Sequence, residues 1–480
     1  VSRLSLASHT PAIPRAELSH GIVHLGIGAF ARAHTAVLTE DAMLATGDTR
    51  WGITAVTGRS DTVARQLGPQ DGLFTVAERG EGSGPARVVS AVTRAIAGRA
   101  DPEAVLERIA DPATAVVTLT ITEKGYRIAP GTARLDSTDA DIRADLSGTP
   151  AVTPIGQIVR GLQRRASRDA GPITIVSCDN LPGNGALTLV LVLDFVAALP
   201  TAESEALHGW IAENARFPST MVDRMVPATT EADLAAIERE IGRRDEAGVV
   251  AEPFRQWVLE DDFAAARPAW ERAGAAFTDD VAPWESAKLR LLNASHSLLA
   301  YLGLAAGLTT IADSVADPAF RLAAERMMAE DALPTISVPE QLDADDYTAA
   351  VLRRFANPAL GHTNAKVGAD GSQKIGLRLL STIEASLSAG REPRWATLGV
   401  AAWMYRVAGA ETLDDPLAAE LRALLPGDRS AEAVVPALLR SAKVFRPELT
   451  ANETFAALLT DWYRTLDRHG VAGLRREIIA

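Results

Sequence analysis

"GIVHLGIGAFARAH", residues 21 to 34, decides the fold. It reads as a short buried strand, a glycine turn and the start of a helix. Gly26, Gly28 and Ala31 fit the pattern G-x-G-x-x-G/A in that setting. In such a turn the first glycine makes the bend, and the second lets the backbone approach a pyrophosphate at a helix N-terminus. A plain tight turn is the alternative. The loop Gly26, Ile27, Gly28, Ala29 and Phe30 is therefore the expected cofactor-binding segment, with Arg32 positioned to reach phosphate. An acid near the end of the second strand would hold the adenosine ribose, and Asp61 is the nearest one. Asp61 favours NAD, whereas Arg59, two residues earlier, would suit the 2′-phosphate of NADP.

Moving outward, "WGITAVTG" (51–58), "ATAVVTLTIT" (113–122) and "GPITIVSCDN" (171–180) are β-branched runs bounded by turn residues. Such runs suit parallel strands buried on both faces. "DPEAVLERIAD" (101–111) has helical spacing. Strands alternating with helices predict a parallel α/β sheet of the Rossmann type. From about residue 281 the character changes to Ala/Leu-rich amphipathic stretches such as "SHSLLAYLGLAAG", "PAFRLAAERMMAED" and "DYTAAVLRRFAN". The expected organisation is a dinucleotide-binding α/β domain over 1–280 and a mainly helical substrate-binding domain over 281–480. No linker separates them, so the halves are expected to pack together, a setting that active sites favour.

A chain of 480 residues is long enough for two or three domains. Its formal net charge of −13 argues against nucleic acid or an anionic membrane as general partner. Cys178 is the only cysteine, so neither an intrachain disulfide nor a zinc-finger ligand set can form, which fits a reducing cytoplasm. The first 21 residues lack the apolar core of a signal peptide, and no run of about 18 apolar residues is present to span a bilayer.

Seven motifs occur in order: "GIGAFARAH", "TITEKGY" (120–126), "SCDNLPGNG" (177–185), "FPSTMVDRMVPAT" (217–229), "EPFRQWVLED" (252–261), "KLRLLNASH" (288–296) and "DGSQK" (370–374). Together they resemble the mannitol dehydrogenase and fructuronate reductase family, the long-chain polyol-specific dehydrogenases. The resemblance spans roughly residues 20 to 380. It implies a metal-independent hydride transfer between a nicotinamide cofactor and the C2 secondary alcohol of an open-chain polyol or sugar acid. It also implies a monomer or small homo-oligomer.

By position in "KLRLLNASH", Lys288 corresponds to the family's general base. Burial among leucines and nearby positive charge would lower a lysine's pKa toward neutrality, as that role requires. A lysine whose head snorkels to water is the structural alternative. Asn293 and Asn184 match the family's pair of amide donors for the developing oxyanion. Asn180 is the neighbouring alternative, and either asparagine also suits a turn or cap. His296 lies one helical turn beyond Asn293 and is expected to bond a substrate hydroxyl. Glu285, three residues before Lys288, is implied as the gate of a proton path to water. Glu123 and Lys124 follow a strand end and are expected beside the nicotinamide or substrate. Asp223 is expected near the cofactor. Lys374 corresponds to a substrate-binding lysine. Lys366 stands where mannitol dehydrogenases carry arginine, and a lysine lacks arginine's bidentate fork. Mannitol, oxidised to fructose, is the first expectation, with mannonate and arabinitol as alternatives. A catalytically silent NAD-binding protein would lack one of Lys288, Asn293 and His296, and all three are present.

Overall fold

The computed structural model describes residues 1–148 and 150–480. Five short runs rich in valine, isoleucine and threonine, with a sixth of two residues, form one parallel sheet. They are β1 (Ile22–Leu25), β2 (Ile53–Thr57), β3 (Val92–Ala97), β4 (Val116–Leu119), β5 (Ile173–Ser177) and β6 (Ala215–Arg216). The strand order is β3-β2-β1-β4-β5-β6, which is that of a doubly wound dinucleotide-binding sheet. In the register Ile22 faces Ile53 on one side and Val116 on the other. The strands β1, β2, β4 and β5 are buried along their whole length, because helices cover both faces. Edge strand β3 is only partly buried: Val92 and Ile96 are buried and Arg94 is exposed.

Two apolar layers flank the sheet. One gathers Val37, Met43, Trp257 and Trp270, and the other Val105, Ile109, Ile158, Leu162 and Phe195. The helix Pro102–Ala110 shows how sequence makes such a layer. Asp101 caps it by accepting from Ala104 N at 3.2 Å, Pro102 suits its first turn, and Val105, Leu106 and Ile109 are its buried face. Inside the sheet, His24 lies between the hydroxyls of Thr118 (2.7 Å) and Thr120 (2.9 Å). Burial pushes its pKa down to about 4, so it is neutral at ordinary pH. Cys178, just past β5, is sealed from water, and burial pushes its thiol pKa up. Two three-stranded sheets complete this unit, which runs from Val1 to Ala282. One joins Phe74–Glu78 to Arg87–Val89 and Val249–Ala251; the other joins Thr220–Asp223 to Gln256–Glu260 and Ala276–Thr278.

The second unit, Pro283–Ala480, is helical throughout its regular elements. Helices Ala294–Ala305 and Arg394–Gly409 are buried on nearly every face and pack on each other. That is why their sequences show no clean polar stripe. The buried carboxylate of Asp331 accepts from Trp395 N (2.8 Å) and Ala396 N (2.6 Å) at the start of the second of these helices. Burial pushes its pKa up to about 7 despite both bonds. Among the described residues no helix is long and apolar enough to cross a membrane.

Candidate active site

At the glycine turn the backbone itself demands its residues. Gly26 has φ +94°, and a Cβ there would stand 2.2 Å from the carbonyl oxygen of Thr120. Only glycine fits that left-handed conformation and close approach. At Gly28 a Cβ would meet nothing nearer than Gly26 O at 3.8 Å. The protein leaves that space open, as a cradle for a ligand's phosphates requires. Ala31, in the third position of the pattern, is fully buried. The turn opens onto a pocket of about 350 Å³ lined by Gly26, Ile27, Gly28, Arg59, Thr120 and Lys124, among others. It lies where β1 and β4 diverge, the switch point at which such sheets bind ligands. These residues fit a dinucleotide.

Several expected residues lie elsewhere. Arg32 turns inward: its guanidinium donates to the carbonyls of Gly28 and Ala247 and is 7% exposed. It braces the turn and is not directed at a phosphate. Phe30 stacks on His34, with centroids 4.8 Å apart. Asp61 stands at the start of helix Thr62–Leu67, with its carboxylate 2.8 Å from Arg65, outside the pocket lining. Asp223 ends the strand Thr220–Asp223, is buried, and is likewise not part of that lining.

The two asparagines separate clearly. Asn184 is 0% exposed at the first turn of helix Asn184–Ala197. Its amide nitrogen donates to Asp179 O (3.0 Å) and Thr220 O (2.9 Å), and its oxygen accepts from Thr220 N at 2.9 Å. Both amide hydrogens are engaged in this arrangement, and Asn184 ties two loops together. Asn180 is exposed.

Next to it stands a residue that sequence reasoning missed. The buried carboxylate of Asp179 accepts from Ile121 N (2.8 Å), Thr122 N (2.9 Å) and Tyr126 Oη (2.9 Å). Burial pushes its pKa up, opposed by those bonds. It fixes the loop after β4, where Thr122 has φ +61°, a strained value for a β-branched residue. Glu123 and Lys124 follow in a single turn, both exposed, and Lys124 lines the pocket. The signal was present in "SCDN", but the eye goes to its asparagine.

In the second unit the segment Lys288–Asn293 is wound as a π-helix between helices Ala282–Ala287 and Ala294–Ala305. This changes the geometry that sequence spacing implies. Five residues in an α-helix turn through about 500°, leaving the two ends roughly 140° apart. The i→i+5 winding of a π-segment brings Lys288 and Asn293 close to one face, and such segments recur at functional sites. Lys288 is 9% exposed, while Glu285 and Asn293 are half-buried. His296 stacks on Phe355 at 4.6 Å and lies 5.9 Å from His362. Its Nε2 is sealed from water and has no hydrogen-bond partner among the described residues. Burial first, then the charges of His362, Arg378, Arg354 and Lys374, hold its pKa well below the usual value, so the ring is neutral. Arg378, unremarked in the sequence, donates to Ser297 Oγ at 3.0 Å. Lys374 donates to the carbonyls of Val367 (3.4 Å) and Ala369 (2.6 Å), closing the loop beside the exposed Lys366.

Comparison with known proteins meets this geometry. The mannitol dehydrogenase Rossmann domain matches residues 20–272, and the mannitol dehydrogenase C-terminal domain matches residues 280–467. The chain belongs to the mannitol dehydrogenase family. Among family members, the D-mannonate oxidoreductase of Escherichia coli (strain K12) is 39% identical over 98% of this chain and 97% of its own. A mannitol 2-dehydrogenase of Phaeosphaeria nodorum is 35% identical over 96% of this chain and 81% of its own. The Pseudomonas fluorescens mannitol 2-dehydrogenase, solved as a ternary complex with NAD and D-mannitol, superposes with a TM-score of 0.83. It is 34% identical, covering 98% of this chain and 96% of that one. The family's parallel-sheet unit and helix-rich unit are those described above.

Proposed function

We propose that the chain is a NAD-dependent oxidoreductase interconverting a secondary alcohol and a ketone at C2 of an open-chain polyol or sugar acid. The observation behind this reading is the π-wound turn that brings Lys288 and Asn293 toward one face, followed by neutral His296, in a chain of this family. The loop Gly26–Phe30 holds the dinucleotide's phosphates. NAD, when bound, supplies the hydride acceptor.

The protein's own groups handle the proton and the charge. Lys288 Nζ takes the hydroxyl proton. The Asn293 amide donates to the oxygen as it gains negative character, with Asn184, or its neighbour Asn180, as the second such donor. Neutral His296 can donate to or accept from a substrate hydroxyl through one nitrogen. Glu285 passes the proton from Lys288 toward water. Lys366 and Lys374 bind the far end of the substrate, Glu123 and Lys124 border its reacting end, and Asp223 supports the cofactor side.

Mannitol is the first substrate under this reading. A sugar acid is a second, favoured by the cations Arg378, Arg354 and Lys374 that act on His296. The 39% identity to a D-mannonate oxidoreductase points the same way. Oxidation of mannitol, arabinitol and mannonate, each assayed with NAD, tests both. Turnover confined to mannonate selects the sugar acid, and turnover of mannitol selects the polyol. Activity on no polyol or sugar acid overturns the proposal.

A further inference from the structure

A second pocket lies within the helical unit, apart from the segment Lys288–Asn293. It holds about 510 Å³ and is lined by the last turns of helices Ala294–Ala305 and Arg394–Gly409 and by helix Glu453–Ile479. That size suits a small-molecule ligand. At about 1.5 Å per residue, the pocket end of helix Ala294–Ala305 stands roughly 18 Å from Asn293.

Its walls carry polar groups that the fold leaves unused. Tyr463 is 1% exposed, yet its hydroxyl has no hydrogen-bond partner among the described residues. A polar group so buried calls for one. Its ring meets that of Tyr405 edge-on, with centroids 5.9 Å apart. Asp467, one helical turn beyond Tyr463, makes no hydrogen bond or ion pair among the described residues. Burial first, then the charge of Asp467, pushes the pKa of the Tyr463 hydroxyl up, while Arg429 opposes them. Arg429 gives one N–H to Ala408 O (2.7 Å) and Arg406 one to Thr412 O (3.3 Å). Neither is paired with a carboxylate among the described residues, so each keeps further donors for the pocket.

Unused donors and an unused acceptor in one pocket select the ligand. A carboxylate or phosphate only accepts hydrogen bonds and would face the Asp467 carboxylate. An ammonium only donates and would face two guanidiniums. A hydroxyl does both, donating to Asp467 while it accepts from an arginine. The tyrosine rings add apolar area with a polar tip, suited to a molecule that carries C–H and O–H groups side by side. We propose that this pocket binds a neutral sugar in its ring form, its hydroxyls held between Asp467 and the arginines Arg406 and Arg429 and its C–H groups against Tyr405 and Tyr463. The Tyr463 hydroxyl then gains the partner that the fold does not give it.

Methyl α-D-glucopyranoside is the probe, because its locked ring offers a dehydrogenase site neither a carbonyl nor an open chain. Saturation-transfer NMR on the full chain should detect its binding, and a titration gives its Kd. Asp467→Ala should weaken that binding about tenfold, the loss of a hydrogen bond to a charged acceptor, and Tyr463→Phe about fivefold. Both variants should melt with the parent protein, since neither group they remove is bonded within the fold. Inorganic phosphate should not displace the glycoside. No binding of the glycoside, an affinity that both variants keep, or displacement by phosphate each overturns the proposal. None of these outcomes bears on the oxidoreductase reading, which is tested by turnover.

Discussion

Gly26 and Lys288 each mark a candidate site segment in a different unit, and the sequence announces them by opposite means. At Gly26 the backbone is the functional element. A carbonyl 2.2 Å from where a Cβ would be admits one residue type, so the requirement is written as a glycine. At Lys288 the candidate element is a set of side chains, and the backbone's contribution is a change of winding over Lys288–Asn293. No residue type is reserved for a π-segment, so the polar residues were visible while the reason they face together was not. A site made by main chain is legible one residue at a time, whereas a site made by helical phase becomes legible only in three dimensions.

Substitutions can press on both halves of that contrast. The largest effect belongs to Lys288→Ala, which should lower the oxidation rate by about 10²–10⁴-fold, the range for loss of a general base. Dinucleotide affinity, measured by titration, should be unchanged because that loop lies in the other unit. Turnover near that of the parent protein would remove Lys288 from its role. Next comes a pair at the turn. Gly26→Ala should destabilise the first unit by about 1–3 kcal/mol or more, the cost of a strained backbone plus a contact with Thr120 O. Gly28→Ala should leave the melting temperature alone and weaken the dinucleotide, since beyond its chain neighbours the nearest atom to the added methyl is Gly26 O at 3.8 Å. Equal destabilisation by the two would erase the distinction between a glycine the fold needs and one the ligand needs.

The smallest effect concerns pH and separates the units electrostatically. Burial raises the Asp331 carboxyl in the helical unit from 3.8 to about 7. Its folded form therefore holds the proton more tightly than the unfolded chain does. Stability from this group is highest below about pH 4, where both states are protonated, and is lost as pH climbs toward 7. Denaturant midpoints at pH 5 and pH 8 should differ in that direction, and Asp331→Asn should shrink the difference. An unchanged difference would relieve Asp331 of the effect.

The parallel sheet was legible because β1, β2, β4 and β5 are buried on both faces and so read as unbroken β-branched runs. The small sheets of Phe74–Glu78 and Thr220–Asp223 carry shorter, more mixed segments and left no such trace. Within the site, residue identity was readable and direction was not. Arg32 and Asn184 have the right chemistry for a phosphate and an oxyanion, yet both face inward toward backbone groups that no sequence pattern reveals. Asp179 escaped notice because its partners, at Ile121, Thr122 and Tyr126, lie more than fifty residues away along the chain.

The lone thiol of Cys178 has a practical consequence. Enclosed just past β5 and disfavoured as a thiolate, it is shielded from alkylating reagents while the sheet stays closed. Its labelling kinetics then clock how often the strand ends beneath the dinucleotide loop come apart, giving an intrinsic stopwatch for breathing of the catalytic scaffold with no engineered probe.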